Sequence, residues 1–489
     1  MELAPLAPET RNLIDGRLVG ASNGATFENV NPATGQVIGT CADGTKDDME
    51  AALAAARRAF DEAGWANDHA LRARCLRQLH EALRADKEQL RSIVVHEAGA
   101  CVSLTGYMHV DDPIESLAYW AEKAAAYPYE QPMSDVPFLG KPQRRLLRRE
   151  PIGVVGAITP WNVPLYLNLA KLGPALAAGC TVVLKPAPDT PWSATHLGKL
   201  ARETDLPPGV LNIVASSDHL LGEILSSDPR VDLVTFTGST ATGRRVMERA
   251  AATVKKVFLE LGGKSANVVL DDADFAKVLP TAAMTCVHGG QGCAITTRLL
   301  LPRSRYAEGV AIVKQAFEGW RFGDPTDPSV LQGPQISRRQ QERVLAYIEK
   351  GKREGARCLV GGGRPDRPGF FVEPTLFVDV DPAATIAQEE IFGPVLCVIP
   401  FEDDDDAVRI ANGTIYGLSG AVLSASEERA LAVARRIRSG TLSVNGGQWF
   451  HADTPFGGYK QSGLGRENGL LGFEEYLETK VIALPRKKA

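Results

Sequence analysis

The chain has no apolar run of about 18 residues, the length that a membrane-spanning helix requires. Nor does the segment from Met1 to Asn12 carry the basic-then-apolar order of a signal peptide, so a soluble, cytoplasmic protein with no membrane partner is expected. Positive charge is not in excess: 54 Lys and Arg face 59 Asp and Glu, the net charge is −5, and no basic cluster reaches the size of a nucleic-acid footprint. No nucleic-acid partner is therefore expected, and small molecules remain. The eight cysteines, Cys41, Cys75, Cys101, Cys180, Cys286, Cys293, Cys358 and Cys397, form no CxxC pair, which argues against a disulfide framework and a structural zinc. The eight histidines are equally dispersed, without metal-ligand spacing, and no metal is expected. Low-complexity sequence and repeats are missing too; the one acidic run, Asp403 to Asp406, is short and starts a helix that runs to Asn412.

What is present is length: 489 residues, 44% of them hydrophobic, exceed the size at which one core keeps growing, so two or three packing units are expected. Apolar residues recur at three and four from Asp47 to about Ala63 and from His69 to about Ala98, which predicts two long amphipathic helices. A third runs from about Asp112 to Ala126. Beyond it the prolines and Gly140 between Pro128 and Glu150 predict an extended arm. Its run Arg144-Arg145-Leu146-Leu147-Arg148-Arg149 is either a phosphate site or, by default, a solvated or subunit-pairing strand.

From Ile152 onward, short β-branched runs alternate with helical stretches: Val154–Ile158, Thr181–Leu184, Leu211–Val214, Leu233–Phe236 and Val257–Leu259. This order predicts a parallel sheet covered on both faces, a Rossmann-like unit of dinucleotide-binding size. After Glu260 the alternation resumes with strands near Ala266–Leu270, Leu299–Pro302, Thr375–Val378, Val395–Pro400 and Leu442–Asn445, a second α/β unit.

Several motifs carry chemistry, each with a bland alternative. The usual GxGxxG loop is absent; Phe236-Thr237-Gly238-Ser239-Thr240-Ala241-Thr242-Gly243 instead runs from a strand into a helix N-terminus, suited to a pyrophosphate but equally to an ordinary Ser/Thr cap. Lys185 stands at a strand's carboxyl end, where ligands bind in open α/β sheets, unless it is simply solvated. Asn162, in Thr159-Pro160-Trp161-Asn162-Val163-Pro164, offers an amide to a developing oxyanion or is a turn asparagine before proline. Glu260 closes a strand before Leu261-Gly262-Gly263-Lys264-Ser265, where a solvated glutamate is the default, and Cys293, by default a buried core cysteine, sits in Gly290-Gln291-Gly292-Cys293-Ala294, a glycine-rich run that packs poorly as core. A thiol and a carboxylate so placed are the parts needed to make and hydrolyse a thioester.

Taken with Glu389-Glu390-Ile391-Phe392-Gly393-Pro394 and Pro455-Phe456-Gly457-Gly458, these motifs, in this order, resemble the NAD(P)-dependent aldehyde dehydrogenases from about Ile14 to the C-terminus. The resemblance implies an aldehyde dehydrogenase-like α/β fold. Its expected units are a dinucleotide-binding domain (1–127 and 150–260), a catalytic domain (261–465) and a small β oligomerisation element (128–149 and 466–489) that makes a homodimer or tetramer. It implies Cys293 as nucleophile, Glu260 as base, Asn162 with the Cys293 N–H as oxyanion donors, and Lys171 and Glu467 as a proton exit. The implied cofactor set is Ile158, Thr159, Pro160, Trp161, Lys185, Pro188, Gly238, Ser239, Gly243, Leu261, Gly262, Glu390 and Phe392.

Two features are particular to this chain. Many NAD-preferring members place a glutamate three residues after the ribose lysine, but here Pro188 stands there, followed by Asp189, and no arginine adjoins it in sequence. NAD is expected, with NADP left open. Relatives often carry tryptophan or arginine where this chain has Ala170, which predicts a wide, uncharged substrate tunnel. With Val163, Tyr166, Leu167, Trp449, Phe450 and Phe456 as its walls, it would take a bulky hydrophobic aldehyde, aromatic or terpenoid-like. The alternatives are a CoA-acylating semialdehyde dehydrogenase, which resembling enzymes suggest would lack the base at Glu260, and a non-catalytic NAD-binding structural protein.

Overall fold

Thr181–Lys185 is buried at every residue and Val154–Ile158 at all but its last, the near-continuous apolar pattern of strands covered on both faces. In the computed structural model, which describes residues 3–485, they lie at the centre of an eight-stranded sheet. Residues 1, 2 and 486–489, included in the expected dinucleotide-binding and oligomerisation ranges, lie outside the described residues. The strand order is Gly463–Leu464, Lys256–Glu260, Leu233–Thr237, Val154–Ile158, Thr181–Lys185, Leu211–Ile213, Asn12–Ile14 and Arg17–Val19. The five central strands are parallel, as expected. The sheet is nonetheless mixed, because antiparallel strands from distant parts of the chain close both edges. They need no crossover helix, and they cover edge groups that would otherwise stand unpaired.

The second sheet has seven strands, in the order Arg357–Val360, Thr375–Val378, Val395–Phe401, Thr296–Pro302, Ser265–Val269, Gly420–Leu423 and Ser443–Val444. Gly420–Leu423 was not expected, being short and opened by a glycine, yet it pairs in parallel with Ser265–Val269. The arm is a hairpin, Glu130–Phe138 with Lys141–Pro151, turned at Leu139 and Gly140 with φ of 50° and 72°, and Leu477–Pro485 adds a third strand. Part of its basic run is bonded inside this sheet: Arg148 pairs with Glu150 at 2.9 Å, and Arg149 reaches Thr479.

One expected helix is two. His69–Ala85 ends at Asp86 (φ −107°, ψ 17°), and Lys87–Ala98 begins there. The break falls on Asp86, itself a turn and capping residue, which is held by a distant partner, its Oδ2 lying 2.6 Å from His196 Nε2. The helix Pro164–Ala178 is buried at every position but Tyr166, which fixes the segment that follows the first central strand.

Candidate active site

The central strands are registered so that Lys185 lies opposite Ile158, Ile158 opposite Phe236, and Thr237 opposite Glu260. Their exits, Thr159–Val163, Pro186–Asp189, Gly238–Ser239 and Leu261–Gly263, therefore share one edge of the sheet. The strand Val154–Ile158 is the point from which the order runs both ways, the place where open α/β sheets bind dinucleotides.

Ser239 caps the helix Thr240–Ala250, its Oγ accepting from Thr242 N at 3.2 Å, so a positive helix end faces this edge. Lys185 is buried and donates to Ser216 O at 3.3 Å; burial lowers its pKa to about 8. An ammonium has three donors, and one long bond to a carbonyl leaves capacity for sugar hydroxyls. Pro188 and Asp189 are half-buried beside it. Burial raises the Asp189 carboxyl, while Arg339 and His219, brought across from elsewhere in the chain, act the other way.

Glu390 folds over the far side of the edge, its Oε1 accepting from Gly263 N at 2.9 Å, and burial pushes its carboxyl up to about 7. A Cβ on Gly262 would stand 2.2 Å from Glu390 Oε2, so that glycine is needed for the approach. Phe392, at φ 61°, meets Trp161 edge to face at 5.4 Å, and Gln340 Nε2 donates to its carbonyl at 2.8 Å. Thr159 Oγ1 donates to Asn168 Oδ1 at 2.7 Å and so braces the exit of the first central strand. Gly243 lies one turn into the helix capped by Ser239. A Cβ there would lie 2.7 Å from Leu261 Cδ2, so its missing side chain serves helix-to-strand packing.

Cys293 follows a turn in which His288, Gly289 and Gly290 all take positive φ. It is half-buried, whereas six of the other cysteines are fully buried. A Cβ on Gly263 would stand 2.6 Å from the Cys293 carbonyl oxygen, which seats the cysteine loop directly on the residues after Glu260. Burial pushes the Cys293 thiol well above its ordinary range, and the charges of Glu260, Glu390 and Glu467 add to this. Asn162 lies alongside: its Nδ2 donates to Gln291 O at 2.9 Å and its carbonyl accepts from His288 Nε2 at 2.6 Å. A primary amide keeps a second N–H beyond the one used by Gln291.

Glu260 is 2% exposed, and neither carboxylate oxygen has a hydrogen-bond partner among the described residues. Burial raises its pKa well above the usual carboxylate range; the Glu467 charge adds to that, while Lys171 and Arg466 oppose it. Lys171 Nζ contacts Glu467 Oε1 at 2.7 Å and Thr235 Oγ1 at 3.0 Å, a fully buried pair beside the lone carboxyl. On the other side Leu167 and Ala170 are buried along one helix, with Val163 buried just before its start. Tyr166 meets Phe450 at 5.2 Å, and Trp449 stacks on Phe456 at 5.4 Å. Phe456 and Glu467 exchange backbone hydrogen bonds of 2.7 and 2.6 Å, which tie this aromatic wall to the buried ion pair.

The Aldehyde dehydrogenase family model matches residues 19–482. The chain belongs to the aldehyde dehydrogenase family. Similar proteins of known name include the 3-succinoylsemialdehyde-pyridine dehydrogenase of a Pseudomonas species, 41% identical over 96% of this chain and 97% of that one. Among solved structures, aldehyde dehydrogenase C of Pseudomonas syringae, held with NAD+ and octanal as a cysteine-to-alanine variant, is 41% identical with a TM-score of 0.92, each chain covered to 98%. Betaine aldehyde dehydrogenase of Staphylococcus aureus with NAD+ is 36% identical, TM-score 0.94, again with 98% of both chains covered.

The dehydrogenase is an oxidoreductase of a fold that its solved relatives share. Its site also contains residues that sequence reasoning missed. Asn468 Nδ2 donates to the Tyr166 hydroxyl at 2.9 Å, the Arg466 charge counters the rise that burial gives the Glu260 carboxyl, and Gln291 Nε2 donates to the carbonyls of His288 and Pro334, both at 3.1 Å. Gln291 stood inside a quoted motif and so carried a signal; the other two act only through tertiary contact. Among the described residues no helix is long and apolar enough to cross a membrane, and no three His, Cys, Asp or Glu side chains converge as a metal site.

Proposed function

We propose that this dehydrogenase oxidises a bulky hydrophobic aldehyde, aromatic or terpenoid-like, to its carboxylic acid with NAD. The observation that carries the substrate class is Ala170, a small neutral side chain on the buried helix that also presents Tyr166 to Phe450, with Trp449 and Phe456 stacked beyond. Such a wall holds apolar surface at roughly 25 cal/mol per Å² and offers a substrate carboxylate no cation. The Pseudomonas syringae relative bound to octanal and the relative named for a pyridine-bearing semialdehyde are consistent with it. In a panel at fixed NAD, benzaldehyde or a medium-chain aldehyde is expected to give a higher kcat/KM than succinic semialdehyde. The reverse order would defeat the substrate reading.

The residues divide the chemistry as follows. Cys293 attacks the aldehyde carbon as its thiolate, and the free N–H of Asn162 with the Cys293 backbone N–H holds the oxyanion, donors of a kind worth about 3 kcal/mol each. Lys185, the Ser239-capped helix end and Glu390 would hold the dinucleotide, and its nicotinamide when bound supplies the hydride acceptor. The acyl group is left as a thioester on Cys293. Glu260, its pKa raised by burial, takes a proton from water, and the hydroxide attacks that thioester to release the acid and restore the thiol. Lys171 and Glu467 carry the proton away from Glu260.

Asp189 keeps a carboxylate beside Pro188, which favours NAD over a cofactor bearing a 2′-phosphate despite the reach of Arg339. A larger kcat/KM with NADP would reverse this. We assign residues 1–127 and 150–260 to the dinucleotide-binding unit, 261–465 to the catalytic unit, and 128–149 with 466–489 to oligomerisation. Edge pairing of the three-stranded arm sheet would give a dimer or a dimer of dimers, for which Phe138, Leu139 and Val481 supply exposed apolar surface. Sedimentation at the mass of one chain would refute the assembly.

A further inference from the structure

Two buried imidazoles stand behind the nucleophile loop and take no part in the chemistry above. His109, at the end of the turn Thr105–His109, and His288 are both at most 2% exposed, and their rings meet edge to face at 4.6 Å. Neither nitrogen of His109 nor Nδ1 of His288 has a partner among the described residues. His288 Nε2, by contrast, lies 2.6 Å from Asn162 O. A carbonyl only accepts, so His288 donates from Nε2.

Asn162 returns the contact, its Nδ2 donating to Gln291 O, two residues before Cys293, at 2.9 Å. The segment bearing the oxyanion donor and the loop bearing the nucleophile are thus clasped in both directions. His288 holds this place at φ 52°, a backbone conformation that glycine adopts freely and a side chain resists. A glycine there would relieve the backbone and lose the donor.

We propose that His288 is a positioning residue for the oxyanion step. Its hydrogen bond fixes the Asn162 backbone, so that the amide N–H left free by Gln291 points at the carbonyl oxygen of an aldehyde bound at Cys293, and His109 backs the His288 ring edge to face. This rests on the role assigned to Asn162 in aldehyde oxidation.

The test compares His288→Leu with His288→Gln, which share a Cβ and therefore the same backbone burden, while only glutamine carries a donor at the reach of Nε2. With NAD and the best aldehyde of the panel, His288→Leu is expected to lose about tenfold or more in kcat while KM for the aldehyde moves less than about threefold, and His288→Gln to recover to within about threefold of the parent. Alkylation of Cys293 by iodoacetamide passes through no oxyanion, and its rate is expected to stay within about twofold in both variants. If His288→Leu fails to fold, His288→Gly, free of the backbone burden, takes its place with the same expectations. The proposal is overturned if the donor-less variant keeps kcat within about twofold of the parent, if glutamine is as slow as leucine, or if alkylation falls together with kcat. A parent with no aldehyde activity defeats the reading of the site, whereas an active parent with an unaffected donor-less variant defeats this proposal alone.

Discussion

Glu260 and Cys293 are both held in forms that disfavour their charged states, the carboxyl by burial and Glu467, the thiol by burial and three carboxylates. A carboxyl whose pKa is raised in the folded chain binds a proton that the unfolded chain has already released. Its contribution to stability is therefore present at low pH and is lost as pH rises from the ordinary carboxylate value through the raised one. Replacing Glu260 by glutamine is expected to raise the melting temperature more at pH 8 than at pH 5, as calorimetry at the two pH values would show; an equal shift at both would contradict the assigned burial. The same substitution removes one of the charges that hold the thiol up, so alkylation of Cys293 should set in at lower pH. At this scale Cys293, Glu260 and Asn162 were legible because glycine-rich runs and strand ends set them apart. Arg466 and Asn468 were not, since their effects on Glu260 and Tyr166 depend on a distant segment arriving at the site.

Among the elements, the strand-to-helix exits do the positioning. The helix Thr240–Ala250 starts at Ser239, whose Oγ accepts from Thr242 N. Ser239→Ala is expected to lower stability by about 1 kcal/mol and to raise KM for the dinucleotide while leaving KM for the aldehyde unchanged, in initial-rate measurements. Equal changes in both would mean that this helix end does not face the cofactor. The parallel strands were readable from their β-branched runs, because burial on both faces leaves few polar residues in them. The break at Asp86 and the strand Gly420–Leu423 were not readable. The first is decided by His196 from another helix, and the second by neighbouring strands rather than by its own residues. Gly243 shows a constraint that the sequence motif did not reveal, a close approach to Leu261 that leaves no room for a side chain.

Across the whole molecule, Cys293 and Glu260, the proposed nucleophile and base, come from opposite sides of the junction between the two large sheets. Glu260 ends a strand of the first, and Cys293 lies in the loop between Ser265–Val269 and Thr296–Pro302 of the second. The short strand Gly463–Leu464 returns from the far end of the chain to pair with Lys256–Glu260, and Phe456 and Glu467 bridge just beside it. The order of strands announced two α/β units and a site between them. It did not announce this return, because two residues carry no periodicity. The proposed chemistry requires Cys293 to form a thioester that Glu260 hydrolyses. The most direct test mixes Glu260→Gln with NAD and aldehyde, follows NADH by stopped flow, and weighs the protein afterwards. A burst of about one NADH per active chain, then a stall, is expected, with the acyl mass retained on Cys293. Sustained turnover by that variant, or steady NADH formation by Cys293→Ala, would contradict that chemistry.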